Sequence, residues 1–215
     1  MKSGPFAHVV ARLLRLDPQS VTVAARHLKS AGLMATGARG VNAPEMTGAD
    51  LAALLLSLLA TDRPAWAADM LNRYKGFQLS APSMAQAVGS RLPDPDHTLL
   101  DFLNLICDPS FPLDPDHEFT VRAVATSHVE VEGGEWTLIY WPRDEVDRLA
   151  AEFAAADLDN LPEELASELY DGPMSRHGLV TSREVKSSDI DLIKRVVFGD
   201  AAEVQPSQTQ SEVTP

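Results

Sequence analysis

Apolar and polar positions in the first forty residues recur with the period of an α-helix. In residues 6–16 the apolar side chains fall on one stripe, whereas Arg12 and Arg15 fall on the other side. Asp17 followed by Pro18 is a typical start of a second helix, because Asp caps free backbone N–H groups and Pro fits the first helical turn. Two short helices joined by a tight turn are therefore predicted.

The second predicted helix, residues 18–31, ends at Gly32, a residue type that commonly follows the last helical turn. Its apolar stripe contains Val21, Ala25 and Leu28 and predicts the buried face. A different side of this helix is polar or basic and carries no acid. Its residues are Gln19, Thr22, Arg26 and Lys29.

Two further helices follow in the N-terminal third. Thr47 and Asp50 predict a capping box ahead of an apolar helix over residues 51–60. Residues 61–74 continue with a helical pattern in which Trp66 is expected to pack inside. Together with the first two helices they predict a helical N-terminal region.

After one more helix, at residues 98–107, the pattern changes from helical to alternating. The predicted strands cover residues 119–125, 129–132 and 136–141. Gly133 and Gly134 form a tight turn between the last two, and His128 is expected on a solvated strand face. Helices are predicted again at 143–156, 161–170 and 188–198. The fold class is α+β: a mainly helical N-terminal helix-turn-helix domain, then a small antiparallel β-meander with flanking helices.

Charge divides the chain in a similar way. Residues 1–75 contain 9 Lys and Arg against 5 Asp and Glu, and the remainder contains 9 against 26, so the net charge of −13 hides a basic segment. The predicted organisation is a DNA-binding domain at 1–75, a linker at 76–96, an acidic dimerisation or partner-binding domain at 97–199 and a disordered tail at 200–215.

Several classes of function are disfavoured. A single cysteine, Cys107, allows no internal disulfide, and the longest apolar run, residues 51–60, is half of the roughly 20 residues that a bilayer requires, so a cytoplasmic protein without membrane contact is expected. The motif Asp-Pro-Asp-His occurs at 94–97 and 114–117, where turns and helix caps explain it better than a metal does. Phosphate-loop, dinucleotide and hydrolase motifs are missing, so neither an enzyme nor a cofactor is predicted.

The polar side of helix 18–31 has the chemistry of a DNA-reading surface. Gln and Arg pair bidentately with adenine and guanine edges in the major groove, which assigns base contacts to Gln19, Thr22 and Arg26. The start of the helix also favours a phosphate. Contacts to phosphates, which position a protein without specifying sequence, are assigned to Ser20, Lys29, Arg12 and Arg15.

Residues 9–60 resemble winged helix-turn-helix regulators of the MarR-like and ArsR-like families. The resemblance rests on VARLLRLDPQSVTVAARHLKSAGL, a Gly/Arg-rich loop and MTGADLAALL, about a quarter of the chain. It implies that helix 18–31 is the recognition helix and that Arg39 lies on the wing. The whole chain also resembles phage or prophage-borne regulatory proteins.

The leading hypothesis is a dimeric, sequence-specific DNA-binding transcriptional regulator, because one short recognition helix reads few base pairs. A second hypothesis assigns the same domain to DNA recognition in viral genome packaging, as in small terminase subunits. A third is an acidic protein-interaction or inhibitor protein, and an ordinary helical bundle with a solvated polar face is the simplest alternative.

Overall fold

The computed structural model describes residues 1–37, 43–79, 96–124, 128–134, 136–155 and 182–199, and the fold is α+β. The helices of this part are α1 (Ser3–Leu13), α2 (Pro18–Ser30), α3 (Gly48–Ala60), α4 (Ala67–Tyr74), α5 (Leu99–Cys107), α6 (Arg143–Ala155) and α7 (Ser187–Phe198), with a 3-10 turn at Pro64–Trp66. The strands are β1 (Gln78–Leu79), β2 (Phe119–Val124), β3 (His128–Gly133), β4 (Trp136–Trp141) and β5 (Ser182–Lys186).

The helix starts follow from local capping. The side chain of Asp17 accepts a hydrogen bond from the Ser20 backbone N–H at 2.7 Å, and Pro18 occupies the first turn of α2. Thr47 and Asp50 form the predicted capping box at the start of α3. These helix starts confirm the sequence prediction.

The sheet is antiparallel, with the strand order β1-β4-β3-β2-β5. Its centre is the predicted meander β2-β3-β4, in which Val121 lies opposite Val131 and Val131 opposite Leu138. Two edge strands complete it. β1 forms from residues inside the predicted linker, and β5 forms from a segment that carries no strand prediction. Residues 78–79 therefore belong to the sheet.

The centre of the molecule is α3, which is buried along most of its length. Its N-terminus packs closely on the end of α5, because a Cβ added at Gly48 would lie 2.7 Å from the carbonyl oxygen of Cys107. One cluster of buried side chains extends from Phe6 in α1 to Val197 in α7. The boundaries predicted at residues 76–96 therefore do not separate two hydrophobic cores.

Two expectations about ring side chains are wrong. His128 is 1% exposed instead of solvated, because its imidazole stacks on Trp141 at 4.5 Å between ring centroids and its Nε2 lies 3.1 Å from Glu130 Oε1. Trp66 is 51% exposed instead of packed inside, because the 3-10 turn interrupts the helical spacing that relates it to the buried residues of α4.

Several predictions fall outside the described residues. They concern the helix at 161–170, the tail at 200–215, most of the linker at 80–95 and the loop at 38–42 that contains Arg39. Among the helices that the structure describes, none combines the length and the apolar character needed to cross a membrane.

Candidate nucleic-acid interface

A tight turn joins α1 to α2. Arg15 in this turn has a left-handed backbone, with φ of 56°. The N–H of Leu16 donates to the carbonyl of Ala11 at 2.8 Å, and the N–H of Arg15 donates to that of Arg12 at 3.3 Å. This is the Schellman arrangement, which α2 repeats with Gly32 at φ 71°. A non-glycine residue in this conformation is strained by about 1 kcal/mol.

One face of α2 is fixed in the core. Val21, Ala24, Ala25 and Leu28 are at most 4% exposed, and α2 lies against α1, α3, α4 and the 3-10 turn. The predicted buried stripe is confirmed, with Ala24 added to it. Because the buried stripe fixes the rotation of the helix about its axis, it also determines which residues point outward.

The outward face of α2 carries the side chains proposed to read bases. Gln19 and Arg26 are exposed, whereas Thr22 and Lys29 are half-buried. Gln19 and Lys29 are ten residues apart, so this face is about 15 Å long. Within the described residues, neither Arg26 nor Lys29 forms an ion pair with a carboxylate.

Some donors on this helix are already engaged. The hydroxyl of Thr22 donates to the carbonyl oxygen of Pro18 at 2.7 Å, and the backbone N–H of Ser20 is bonded to Asp17. The hydrogen bonds from the Ser20 side chain and backbone lower the pKa of Asp17, so this carboxylate is charged at neutral pH. The phosphate contact expected at the start of α2 stays a prediction, and the Asp17 carboxylate already engages the Ser20 N–H there.

Further cations border α2. Arg12 in the last turn of α1 and Arg15 in the connecting turn are both exposed, and within the described part of the chain neither contacts an acid. On another flank, the guanidinium carbon of Arg63 lies 4.7 Å from the centre of the Trp66 ring, beside the 3-10 turn that contacts α2. The sequence analysis did not predict Arg63 as a cation beside α2. The spacing of three residues between Arg63 and Trp66 is a signal from which stacking of the guanidinium on the ring could have been predicted.

The described residues on both sides of positions 38–42 form hydrogen bonds to other parts of the chain. Before these positions, the backbone N–H of Ala35 donates to Asp50 Oδ1 at 2.7 Å. After them, the N–H of Met46 donates to the carbonyl of Met1 at 2.9 Å. The wing position assigned to Arg39 itself lies outside the described residues.

The histidines of the two Asp-Pro-Asp-His motifs and the cysteine Cys107 have structural environments. His97 is buried with its Nε2 2.7 Å from the Tyr140 hydroxyl, and His117 Nδ1 lies 2.8 Å from Asp114 on the surface. In the described ranges, no group of three His, Cys, Asp or Glu side chains could hold a metal ion. Burial raises the pKa of the Cys107 thiol to about 12, which keeps it protonated at neutral pH.

No family model, curated protein or solved structure matches this chain. The resemblance of residues 9–60 to winged helix-turn-helix regulators therefore stays a prediction from the sequence. A function for the protein has to be argued from the surface chemistry of α2 and its neighbours.

Proposed function

We propose that this protein is a sequence-specific DNA-binding transcriptional regulator, which places α2 in the major groove and acts as a dimer in the cytoplasm. The observation that carries the proposal is the outward side of α2. Gln19 and Arg26 are exposed there, and within the described residues Arg26 has no carboxylate partner. An exposed guanidinium without an internal counterion is available to an external acceptor.

The base contacts fall to Gln19 and Arg26. A Gln side chain pairs with two groups of adenine and an Arg side chain with two acceptors of guanine, each pair contributing about 1–3 kcal/mol of discrimination. The two residues are seven positions apart, about 10 Å along the helix axis, which corresponds to about three base pairs. Thr22 lies between them and offers its methyl group and an acceptor oxygen, since its hydroxyl proton is engaged.

The phosphate contacts fall to Arg12, Arg15 and Lys29. Arg12 and Arg15 precede α2 and Lys29 lies in its last turn, so the cations lie beyond both ends of the segment that reads bases. Charged contacts of this kind hold a recognition helix at a fixed depth and register without reading sequence. Ser20 contributes less, because Asp17 already engages its backbone N–H.

Dimerisation is part of the proposal because one helix of this length reads too few base pairs for a unique site. Two copies related by a twofold axis would bind half-sites about 34 Å apart, one turn of DNA. The determination of mass in solution tests this point. A dimer supports the regulator, whereas a ring of many subunits would instead favour a role in genome packaging.

The direct test selects bound duplexes from a random pool and then measures affinity by fluorescence anisotropy. Arg26→Ala should lose preference at one base position and weaken binding to the selected site about tenfold. Arg143→Ala is the matched control, because Arg143 is an exposed arginine on α6 with a 71% exposed side chain. Failure to enrich any sequence, or equal losses for the two variants, would contradict the proposal.

A further inference from the structure

A cleft of about 580 Å³ lies between the α1–α2 turn, the C-terminal half of α3, strand β5 and helix α7. One wall is held by Arg183, whose Nη1 donates to the carbonyl oxygen of Leu59 at 3.4 Å and whose Nη2 lies 3.5 Å from Asp62 Oδ2. This contact joins β5 to the last turn of α3, where a helix has carbonyl groups without backbone partners. The cleft is therefore built on connected secondary structure.

The cleft is lined mainly by leucine. Leu55 and Leu59 of α3 are buried below it, whereas Leu16 and Leu192 at its rim are 41% and 42% exposed. Large apolar side chains exposed to this extent are few among the described residues, and two of the four border this one cleft. Apolar surface concentrated in a concavity is typical of a ligand site.

The polar groups of the cleft are mostly basic. Arg15 and Lys186 line it, are exposed and have no carboxylate partner among the described residues. Of the two acids in the lining, Glu184 has its Oε2 3.4 Å from Arg122 Nε, and Arg122 also pairs with Glu130 and Glu132. Asp189 is the second acid, and the three cations Arg15, Arg183 and Lys186 outnumber the two acids of the lining.

We propose that this cleft binds an amphipathic organic anion. The apolar chain or ring of the ligand packs on the leucines, and its carboxylate or phosphate accepts charge-assisted hydrogen bonds from Arg15 and Lys186. The cleft volume lies within the range of about 300–1,000 Å³ that small-molecule sites occupy. Arg15 and Lys186, which have no carboxylate partner in the described part of the chain, favour an anion over a neutral ligand. The cleft shares Arg15 with the proposed DNA-binding surface, but ligand binding can be measured in the absence of DNA.

Decanoate is a suitable probe, and its binding to the full-length protein can be measured by titration calorimetry. One site per chain is expected, with Leu192→Glu weakening binding at least about tenfold because it places an anion in the lining. Val196→Glu is the matched control. Val196 lies one turn further along α7 and is 47% exposed, but does not line the cleft, so decanoate affinity should stay within about twofold.

The charge of the ligand is tested with decanol. Decanoate should bind several-fold more tightly than decanol, and Lys186→Ala should reduce this difference. Decanoate that does not bind, or that binds Leu192→Glu and the native protein alike, would overturn the proposal. A native dimer that Leu192→Glu alone, and not Val196→Glu, converts to monomers would also overturn it, because a second copy would then cover the cleft.

Discussion

The outward face of α2 and the outward face of the sheet both carry arginine, but the two arginines differ in the acidic side chains around them. On the sheet, Arg122 lies within 3.7 Å of three carboxylates, those of Glu130, Glu132 and Glu184. On α2, Arg26 is exposed without an acid partner among the described residues. One guanidinium is neutralised inside the protein, and the other is available to an external anion.

This difference shows why bulk charge is a poor guide to binding. The chain has a net charge of −13, which suggests repulsion of nucleic acid. The surroundings of Arg122 fit that expectation, since a hydrogen bond from His128 lowers the pKa of Glu130 and keeps it charged. The surface around α2 does not fit the expectation of repulsion, because exposed cations lie there. Partners are selected by the local arrangement of charge, which substitutions of individual charged residues test.

Reversal of the charge on the α2 side should have the largest effect. The double variant Arg12→Glu and Arg26→Glu replaces two exposed cations by anions, and we expect DNA affinity to fall by about 100-fold or more. Anisotropy at constant salt measures this loss. The same double reversal at Arg143 and Arg195, exposed arginines of α6 and α7, is the control and should change affinity by only a few-fold. Equal losses for the two pairs would show that only total charge matters.

Lys194 is a buried cation whose charge is satisfied by carbonyl groups instead of carboxylates. Lys194 is 5% exposed, and its Nζ donates to the carbonyls of Ile106 at 3.1 Å and Phe111 at 2.6 Å. Lys194→Met should lower the free energy of unfolding by about 2–3 kcal/mol, because two carbonyl groups lose a buried donor. Chemical denaturation measures this free energy of unfolding. DNA affinity of the folded fraction should not change, and a variant as stable as the native protein would contradict this role of the ammonium group.

The sequence contains the information for elements with local signals. Asp17, Pro18 and Gly32 fix the ends of α2, because capping groups act within four residues of the helix end. The capping box of Thr47 and Asp50 starts α3 for the same reason. The outward orientation of Arg26 then follows from the buried apolar stripe of the same helix.

Features that depend on distant contacts were not predictable. Strand β5 is short and polar, and it exists because it pairs with β2 about 60 residues earlier in the chain. His128 is buried because Trp141 covers it. The left-handed backbone of Arg15 has no local signal, since glycine would be expected there. The cleft combines residues from four separate elements, so no single segment indicates it.

Removal of Arg122 tests the other side of the comparison, the sheet arginine that has acid partners. Arg122→Ala leaves three carboxylates close together without their cation, and we expect a loss of about 1 kcal/mol in stability, since Arg122 is partly exposed to solvent. DNA affinity should stay within about twofold, because this guanidinium has no free capacity for a phosphate. A large loss of affinity would show that the sheet takes part in binding.

Arg15→Gly should separate stability from binding with a small effect on each. Glycine relieves the left-handed backbone at this position, which we expect to raise stability by about 0.5–1 kcal/mol. DNA affinity should fall a few-fold, because one phosphate contact is lost. Arg15→Ala is the control, since it removes the charge and keeps the strain. If glycine and alanine change stability equally, the strain is absent.

The most direct measurement of the central claim is the salt dependence of DNA affinity for the native protein and for Lys29→Ala. Three phosphate contacts per copy in a dimer predict a slope of about −5 for the logarithm of the binding constant against that of the salt concentration. Lys29→Ala removes one contact per copy and should reduce this slope by about 2. A native slope close to zero, or a slope that Lys29→Ala leaves unchanged, would contradict binding through α2.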